Sequence, residues 1–163
     1  NRFELSELDE SKIKVASIIK FALRYLVTIS PAEGKTSLYN FWDGDKTALE
    51  QKSEDALNEY IDFCAKQLDL YFSTIRDTFK DAWNDPFSKI ISVISINGFI
   101  IAYNRQLNRN GLRDYNFYNN SLKNLRIDFS KEEFPYTSSQ YRKFSNQILT
   151  EAFGFTSEDL ESI

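Results

Sequence analysis

The residues whose types suggest shared chemistry are concentrated between positions 103 and 126. This segment carries five cations against one acid, Asp114, and aromatic and asparagine side chains are interleaved with them. Cations contact phosphates, aromatic rings stack on bases, and asparagine can pair with the edge of adenine. The segment therefore suggests a nucleic-acid contact. Its candidate residues are Arg105, Arg109, Arg113, Tyr115, Tyr118, Lys123 and Arg126.

A structural explanation of the same segment competes with this one. Seven asparagines lie within it, and Asn110 followed by Gly111 is a strong turn signal. Asparagine commonly serves turns and helix caps rather than ligands. The whole chain has a formal net charge of −4, whereas a dedicated nucleic-acid module is usually basic. A turn-rich connection is therefore favoured, and nucleic-acid contact is kept as the alternative.

A second candidate surface is the aromatic pair Phe41 and Trp42, within a polar stretch at 31–45. Large aromatic side chains in a loop can anchor a partner protein, because they fill pockets and bury much apolar area. The competing interpretation is that the pair folds back onto the core. We keep Phe41 and Trp42 as candidate partner-binding residues.

The composition excludes several catalytic and metal chemistries. The chain has no histidine and one cysteine, Cys64, so it can form neither a Cys/His zinc site nor a histidine-based catalytic triad. Paired carboxylates such as Asp43/Asp45 and Glu158/Asp159 fall at predicted helix starts, where negative charge opposes the helix dipole. Cys64 lies in an apolar helical stripe and is expected to be buried. We expect a non-enzymatic protein that needs no cofactor and no metal.

The elements that must position these residues are helices. Five glycines and three prolines in 163 residues are too few for an all-β protein, which needs frequent turns. Apolar residues at steps of three and four predict a helix over 9–29, a long helix over 45–83 and a central, nearly all-apolar helix over 87–103. Gly98 within the last indicates a close helix crossing. Alternation at 2–8 predicts a short extended lead-in.

Later elements are shorter. A helix is predicted from about 114 to 125, and three capping-box patterns start at Ser130, Thr137 and Thr156. The second opens a helix that Gly154 ends. The whole chain, 1–163, is thus predicted to be one all-α domain, an orthogonal or bundle-like array of about six helices.

The setting is inferred from what the sequence lacks. No methionine is present, which is typical of a piece of a longer protein. The longest apolar stretch, 87–103, is shorter than the ~20 residues that a membrane span needs, so no membrane partner is expected. A lone cysteine is consistent with a reducing, cytoplasmic location.

The chain resembles the C-terminal helical region of DGQHR-domain proteins, which are bacterial proteins with a ParB-like core. The resemblance is carried by three stretches: Phe3–Leu8, Trp83–Phe87 with the Ile-rich segment after it, and Ile127–Ser130 with Phe134–Arg142. The naming motif is not present, because Asp43-Gly44 continues as Asp45-Lys46, and no functional residue is carried over. The resemblance implies a context of DNA modification or defence.

The sequence therefore favours a non-enzymatic helical accessory domain that mediates protein–protein contact, or self-association along the long helix. Nucleic-acid contact through 103–126 is the alternative function. The two differ in the surface they require: an exposed apolar patch for the first, and a single basic face for the second.

Overall fold

A computed structural model of the chain describes residues 38–162, which form eight helices and no strand. This confirms the predicted all-α array. The predicted extended lead-in at 2–8 and the helix at 9–29 lie outside the described residues. The helices are α1 (Leu38–Phe41), α2 (Lys46–Glu50), α3 (Glu54–Thr78), α4 (Lys80–Asn84), α5 (Val93–Asn110), α6 (Tyr115–Leu122), α7 (Tyr141–Phe153) and α8 (Ser157–Glu161).

The segment predicted as one helix over 45–83 is divided into α2, α3 and α4. Lys52 has φ 62° between α2 and α3, and Ser53 then caps α3, its Oγ accepting from the Ala56 amide at 3.5 Å. Phe79 leaves helical geometry between α3 and α4, and its ring lies 5.3 Å from that of Phe129. Capping and aromatic packing therefore interrupt the helix at two points, although the apolar periodicity of the sequence continues across both.

The central helix begins later than its apolar run. Residues 87–92 are not helical, and Oδ1 of Asp85 accepts from the Phe87 amide at 2.9 Å within a turn. Ser92 is the residue that caps α5. Ile90 and Ile91 are buried in the connection before it. The apolar run correctly marks the core, but its first residues reach the core from non-helical backbone.

The three capping-box patterns have different outcomes. Thr156 and Asp159 form a complete box that opens α8. In the second pattern the Gln140 side chain accepts from the Thr137 amide at 3.0 Å. The helix itself begins at Tyr141, immediately after Gln140. Ser130 caps only a turn.

The core is organised by the crossing of α5 and α7. A Cβ added to Gly98 would lie 2.4 Å from Cδ1 of Phe144, so the crossing depends on the absence of a side chain there. The Phe144 ring is fully buried, and the centroids of Phe99, Phe129 and Phe134 lie 5.2, 6.1 and 5.9 Å from it. The ring therefore has no open space to retreat into.

Three buried tyrosines join α3, α5 and α6. The Tyr71 ring lies 4.7 Å from Tyr103 and 5.2 Å from Tyr118. Tyr71 donates to the carbonyl oxygen of Phe99 at 3.2 Å, and Tyr118 accepts from Gln106 at 2.7 Å. Burial raises the pKa of Tyr118 to about 12 and raises those of Tyr71 and Tyr103 well above the ordinary value.

Gly98→Ala is expected to destabilise the domain although alanine is the better helix former. Overpacking typically costs about 1–3 kcal/mol, and the gain in helix propensity offsets about 1 kcal/mol of that. Chemical denaturation will measure the loss, with exposed Asn108→Ala on the same helix as the control for propensity. A Gly98→Ala chain as stable as the control would show that the crossing can open without cost.

The tyrosine cluster predicts unfolding in alkali. Because the folded pKa values are raised, the stabilisation is complete below the unfolded pKa of about 10 and is lost as pH rises above it. Absorbance at 295 nm should show tyrosinate from this cluster only as helical circular dichroism is lost. Tyr103→Phe should move that transition to higher pH if the variant folds. Ionisation of all tyrosines with the helices intact would contradict the prediction.

Candidate interaction surface

The sequence-predicted nucleic-acid residues are distributed over several elements. The helix α5 continues to Asn110 and ends at Gly111, whose φ is 69°. Arg105 and Arg109 therefore lie one turn apart on this helix rather than in a connection. The others are Arg113 before α6, Tyr115 and Tyr118 on α6, and Lys123 and Arg126 after it.

Arg105 makes contacts within the domain. Its Nη1 donates to Oδ1 of Asn146 at 2.9 Å, and its Nη2 donates to the carbonyl oxygen of Leu160 at 3.5 Å. Burial, and then the positive charge of Arg142, lower the pKa of this guanidinium. Arg105 thus joins α5 to α7 and α8.

Arg109 and Arg113 are exposed but lie against aromatic rings. The Arg109 guanidinium lies 4.5 Å from the ring centroid of Phe155, and its Nη1 is 3.3 Å from Oδ2 of Asp159. The Arg113 guanidinium lies 4.3 Å from the ring centroid of Phe117. Both side chains cover apolar surface of the domain in addition to carrying charge.

The two tyrosines have different environments. Tyr115 donates its hydroxyl to Oδ2 of Asp77 on α3 at 3.0 Å. Tyr118 is 1% exposed and belongs to the buried cluster, so it lies in the core rather than where a base could stack.

The remaining cations follow α6, and three of the asparagines line a groove beside that helix. Lys123 and Arg126 are exposed, although the Arg126 backbone amide donates to Glu151 at 2.8 Å. A polar groove of about 470 Å³ runs along α6. Its lining includes Arg113, Asn116, Asn120 and Asn124. Because Arg105 and Arg109 contact α7 and α8 while the groove lies beside Arg113, the predicted cations do not form one continuous face.

The aromatic pair folds back onto the domain. Trp42 is 4% exposed and its ring lies 5.1 Å from that of Tyr60 on α3. The Trp42 ring also covers Gly44, where a side chain would meet it. Phe41 is partly buried, beside Gly111. Trp42 therefore joins the core, and the pair forms no protruding anchor.

Exposed large apolar side chains lie at Phe87, Val93 and Leu112, and one turn apart on α3 at Leu57 and Ile61. Leu57 and Ile61 are 38% and 50% exposed on α3, the longest helix among residues 38–162. The steps of four, four, three and four residues place five side chains along one edge of this helix. We call them the contact strip: Leu57, Ile61, Ala65, Leu68 and Phe72.

The strip leads into a groove at the end of α3. Leu68 and Phe72 line a mainly apolar groove of about 220 Å³, together with Trp83 on α4. Asp69 and Arg76 are also among its lining residues. An apolar depression beside an apolar helix edge is the arrangement in which amphipathic helices bind.

Carboxylates are numerous on the helix that carries the strip. The helix α3 carries six acids against two bases, and Arg76 hydrogen-bonds to Asp77 at 3.0 Å. That hydrogen bond is the main reason why the pKa of Asp77 is lowered. The other acids on α3 are Glu54, Asp55, Glu59, Asp62 and Asp69, all exposed.

The apolar periodicity of the sequence includes residues of the contact strip, but it does not indicate that they are exposed. The predicted stripe of the long helix contains Leu57, Ile61 and Leu68 together with Cys64, Tyr71 and Ile75. The structure buries the last three and leaves Leu57 and Ile61 exposed. Periodicity gives the width of an apolar face, but which part of it meets the core depends on where the neighbouring helices lie.

Cys64 is buried, as the sequence predicts. Burial raises the pKa of its thiol to about 11, which disfavours the reactive thiolate. Among residues 38–162, no three acidic or cysteine side chains are grouped so as to hold a metal ion. No helix in this range has the length and apolar character required to cross a bilayer.

No family model matches the chain, and the comparisons with curated proteins and with solved structures give no match.

Proposed function

We propose that the chain is a non-enzymatic protein–protein interaction domain that binds an amphipathic helix along the contact strip of α3. The observation that carries this proposal is the exposure of Leu57 and Ile61 in line with the groove beside Trp83. Contiguous apolar surface bordered by polar residues is characteristic of a binding surface, since exposing it to water is unfavourable.

The carboxylates define the chemistry of the partner. Five exposed acids lie on the same helix as the strip, and Asp69 lines the groove, so a helix with an apolar face and lysine or arginine at its edges is complementary. Two copies meeting strip to strip would bring two acid-rich helices together, which opposes association. The charges therefore favour a partner helix over symmetric self-association of α3.

The setting that we propose is a bacterial cytoplasm, in a context of DNA modification or defence. The resemblance to the helical region of DGQHR-domain proteins supports the context, and the lone buried thiol of Cys64 fits a reducing compartment. In this setting the domain would act as an accessory that recruits or holds another protein.

A synthetic basic amphipathic helix of about five turns, or ~18 residues, is expected to bind the full chain. Ile61→Asp should weaken binding about tenfold, because losing one buried aliphatic contact costs roughly 1.5 kcal/mol. Fluorescence anisotropy of the labelled peptide will measure the affinity.

Val93→Asp is the matched control, because Val93 is 40% exposed and lies outside the strip. A second peptide with the same apolar pattern and glutamates in place of the basic residues should bind more weakly. Equal affinity of the two peptides, or equal binding by the Ile61→Asp and Val93→Asp chains, would refute the proposal.

Nucleic-acid contact is the second candidate function, and the polar groove along α6 favours it. Asn116, Asn120 and Asn124 succeed one another at steps of four along the groove, with Arg113 at one end. Amide side chains beside an exposed cation can contact bases and phosphate together.

This second function predicts weak, salt-sensitive binding of single-stranded DNA by the full chain. Arg113→Ala with Lys123→Ala should make the plot of log affinity against log salt concentration less steep. The decrease in slope should correspond to about one to two fewer released counterions. The control pair is Lys66→Ala with Lys143→Ala, which removes the same charge away from the groove. Anisotropy at low and physiological salt will measure binding. No binding at low salt, or equal effects of the two pairs, would exclude this function.

A further inference from the structure

Two arginines come together where α5 packs against α7. Nη1 of Arg105 donates to Oδ1 of Asn146 at 2.9 Å. Arg142 precedes Asn146 by four residues on α7, so these two side chains lie on one face of that helix. Burial first, and then the positive charge of Arg142, lowers the pKa of Arg105, which places the two guanidinium groups near each other. We call these residues the arginine site: Arg105, Arg142 and Asn146.

The arginine site lacks a negative charge of its own. Within residues 38–162 neither of its guanidinium groups forms an ion pair with a carboxylate, whereas Arg76 and Arg109 do. Arg105 is half-buried, so water screens its repulsion with Arg142 less than it would between two fully exposed cations. Two neighbouring cations without an acid are unfavourable by themselves. An anion bound between them would therefore be stabilised.

The start of α7 adds to this positive potential. Arg142 and Lys143 lie in the first turn of the helix, which contains no acid, and Gln140 at its N-cap makes no capping hydrogen bond through its side chain. The amino end of a helix carries partial positive charge and favours anions. The helix dipole and the two arginines therefore act in the same direction.

The donors of the arginine site match a phosphoryl group. Each guanidinium presents its N–H groups as a planar fork that pairs with two oxygens of a phosphate. Because Oδ1 of Asn146 accepts from Arg105, the NH2 group of the same amide is a further donor. A phosphate monoester carries a charge of about −1.5 to −2 at neutral pH. That charge balances two arginines, whereas a carboxylate has only a single negative charge.

We propose that the arginine site binds a phosphoryl group, as inorganic phosphate or as a phosphate monoester. Arg142 is exposed and meets the ligand from solvent, and half-buried Arg105 holds it against the interface of α5 and α7. The arginine site lies on α5 and α7, so it is separate from the contact strip on α3.

Titration of the full chain with inorganic phosphate, followed through amide chemical shifts by NMR, tests the proposal. Sodium chloride keeps the ionic strength constant. Shifts at residues 142–146 and at Arg105 should saturate. Arg142→Gln should weaken binding roughly tenfold, because it removes charge-assisted hydrogen bonds from an exposed position where folding does not depend on the side chain.

Lys143→Gln is the matched control. It removes the same charge from the next residue of α7, which is also exposed but points in a different direction around the helix. Its effect on the affinity should be less than roughly twofold, because a charge directed into water is well screened. Equal effects of Arg142→Gln and Lys143→Gln, or shifts that do not saturate, would overturn the proposal.

Asn146→Asp is an independent variant that keeps the size of the side chain. Its carboxylate supplies the missing negative charge beside both arginines, so phosphate binding should fall at least roughly tenfold. The unliganded variant should resist chemical denaturation at least as well as the unmodified chain, which shows that it is folded. Unchanged phosphate binding by this variant would contradict the proposed site.

O-phosphoserine and acetate define the ligand. Binding of O-phosphoserine at least as tight as that of inorganic phosphate would assign the arginine site to a phosphate ester, and binding of inorganic phosphate alone would assign it to the free anion. Acetate should bind more weakly than either, because it has a single charge and two oxygens. Acetate binding equal to that of phosphate would overturn the assignment to a phosphoryl group.

Discussion

The close crossing of α5 and α7 at Gly98 is the constraint on which the rest of the domain depends. A single missing side chain lets the Phe144 ring lie against the α5 backbone. The aromatic rings of Phe99, Phe129 and Phe134 then close around Phe144. Because the interior is close-packed, the position of this crossing fixes where the neighbouring helices can meet α5.

The placement of α3 follows from this arrangement. Its inner side reaches the core through Tyr71 and Ile75, and Tyr71 contacts both α5 and α6 through its ring neighbours. Its other apolar edge has Leu57 and Ile61 exposed. The exposed acids of α3 lie on the same helix as this apolar strip, which is the basis for the proposed selectivity toward a basic amphipathic helix.

The basic segment illustrates that residue types alone do not fix where side chains lie. Arg105, Arg109 and Tyr118 have the chemistry of a nucleic-acid contact, but they donate to α7 and α8 or lie in the core. Positive charge near the C-terminal end of α5 also complements the helix dipole. The exposed groove retains only Arg113 from the original set, together with asparagines that the sequence had suggested for turns.

The sequence by itself determined the helical class, the buried state of Cys64, the glycine at a helix crossing and the capping box of α8. These features follow from the spacing of residues along the chain and from side-chain size, and both can be read from the sequence. Tertiary structure decided that the predicted long helix is interrupted at Phe79, and that Trp42 lies in the core. It also decided which edge of α3 is exposed, because periodicity fixes the direction of a side chain relative to its helix but not what the neighbouring helices bring against it.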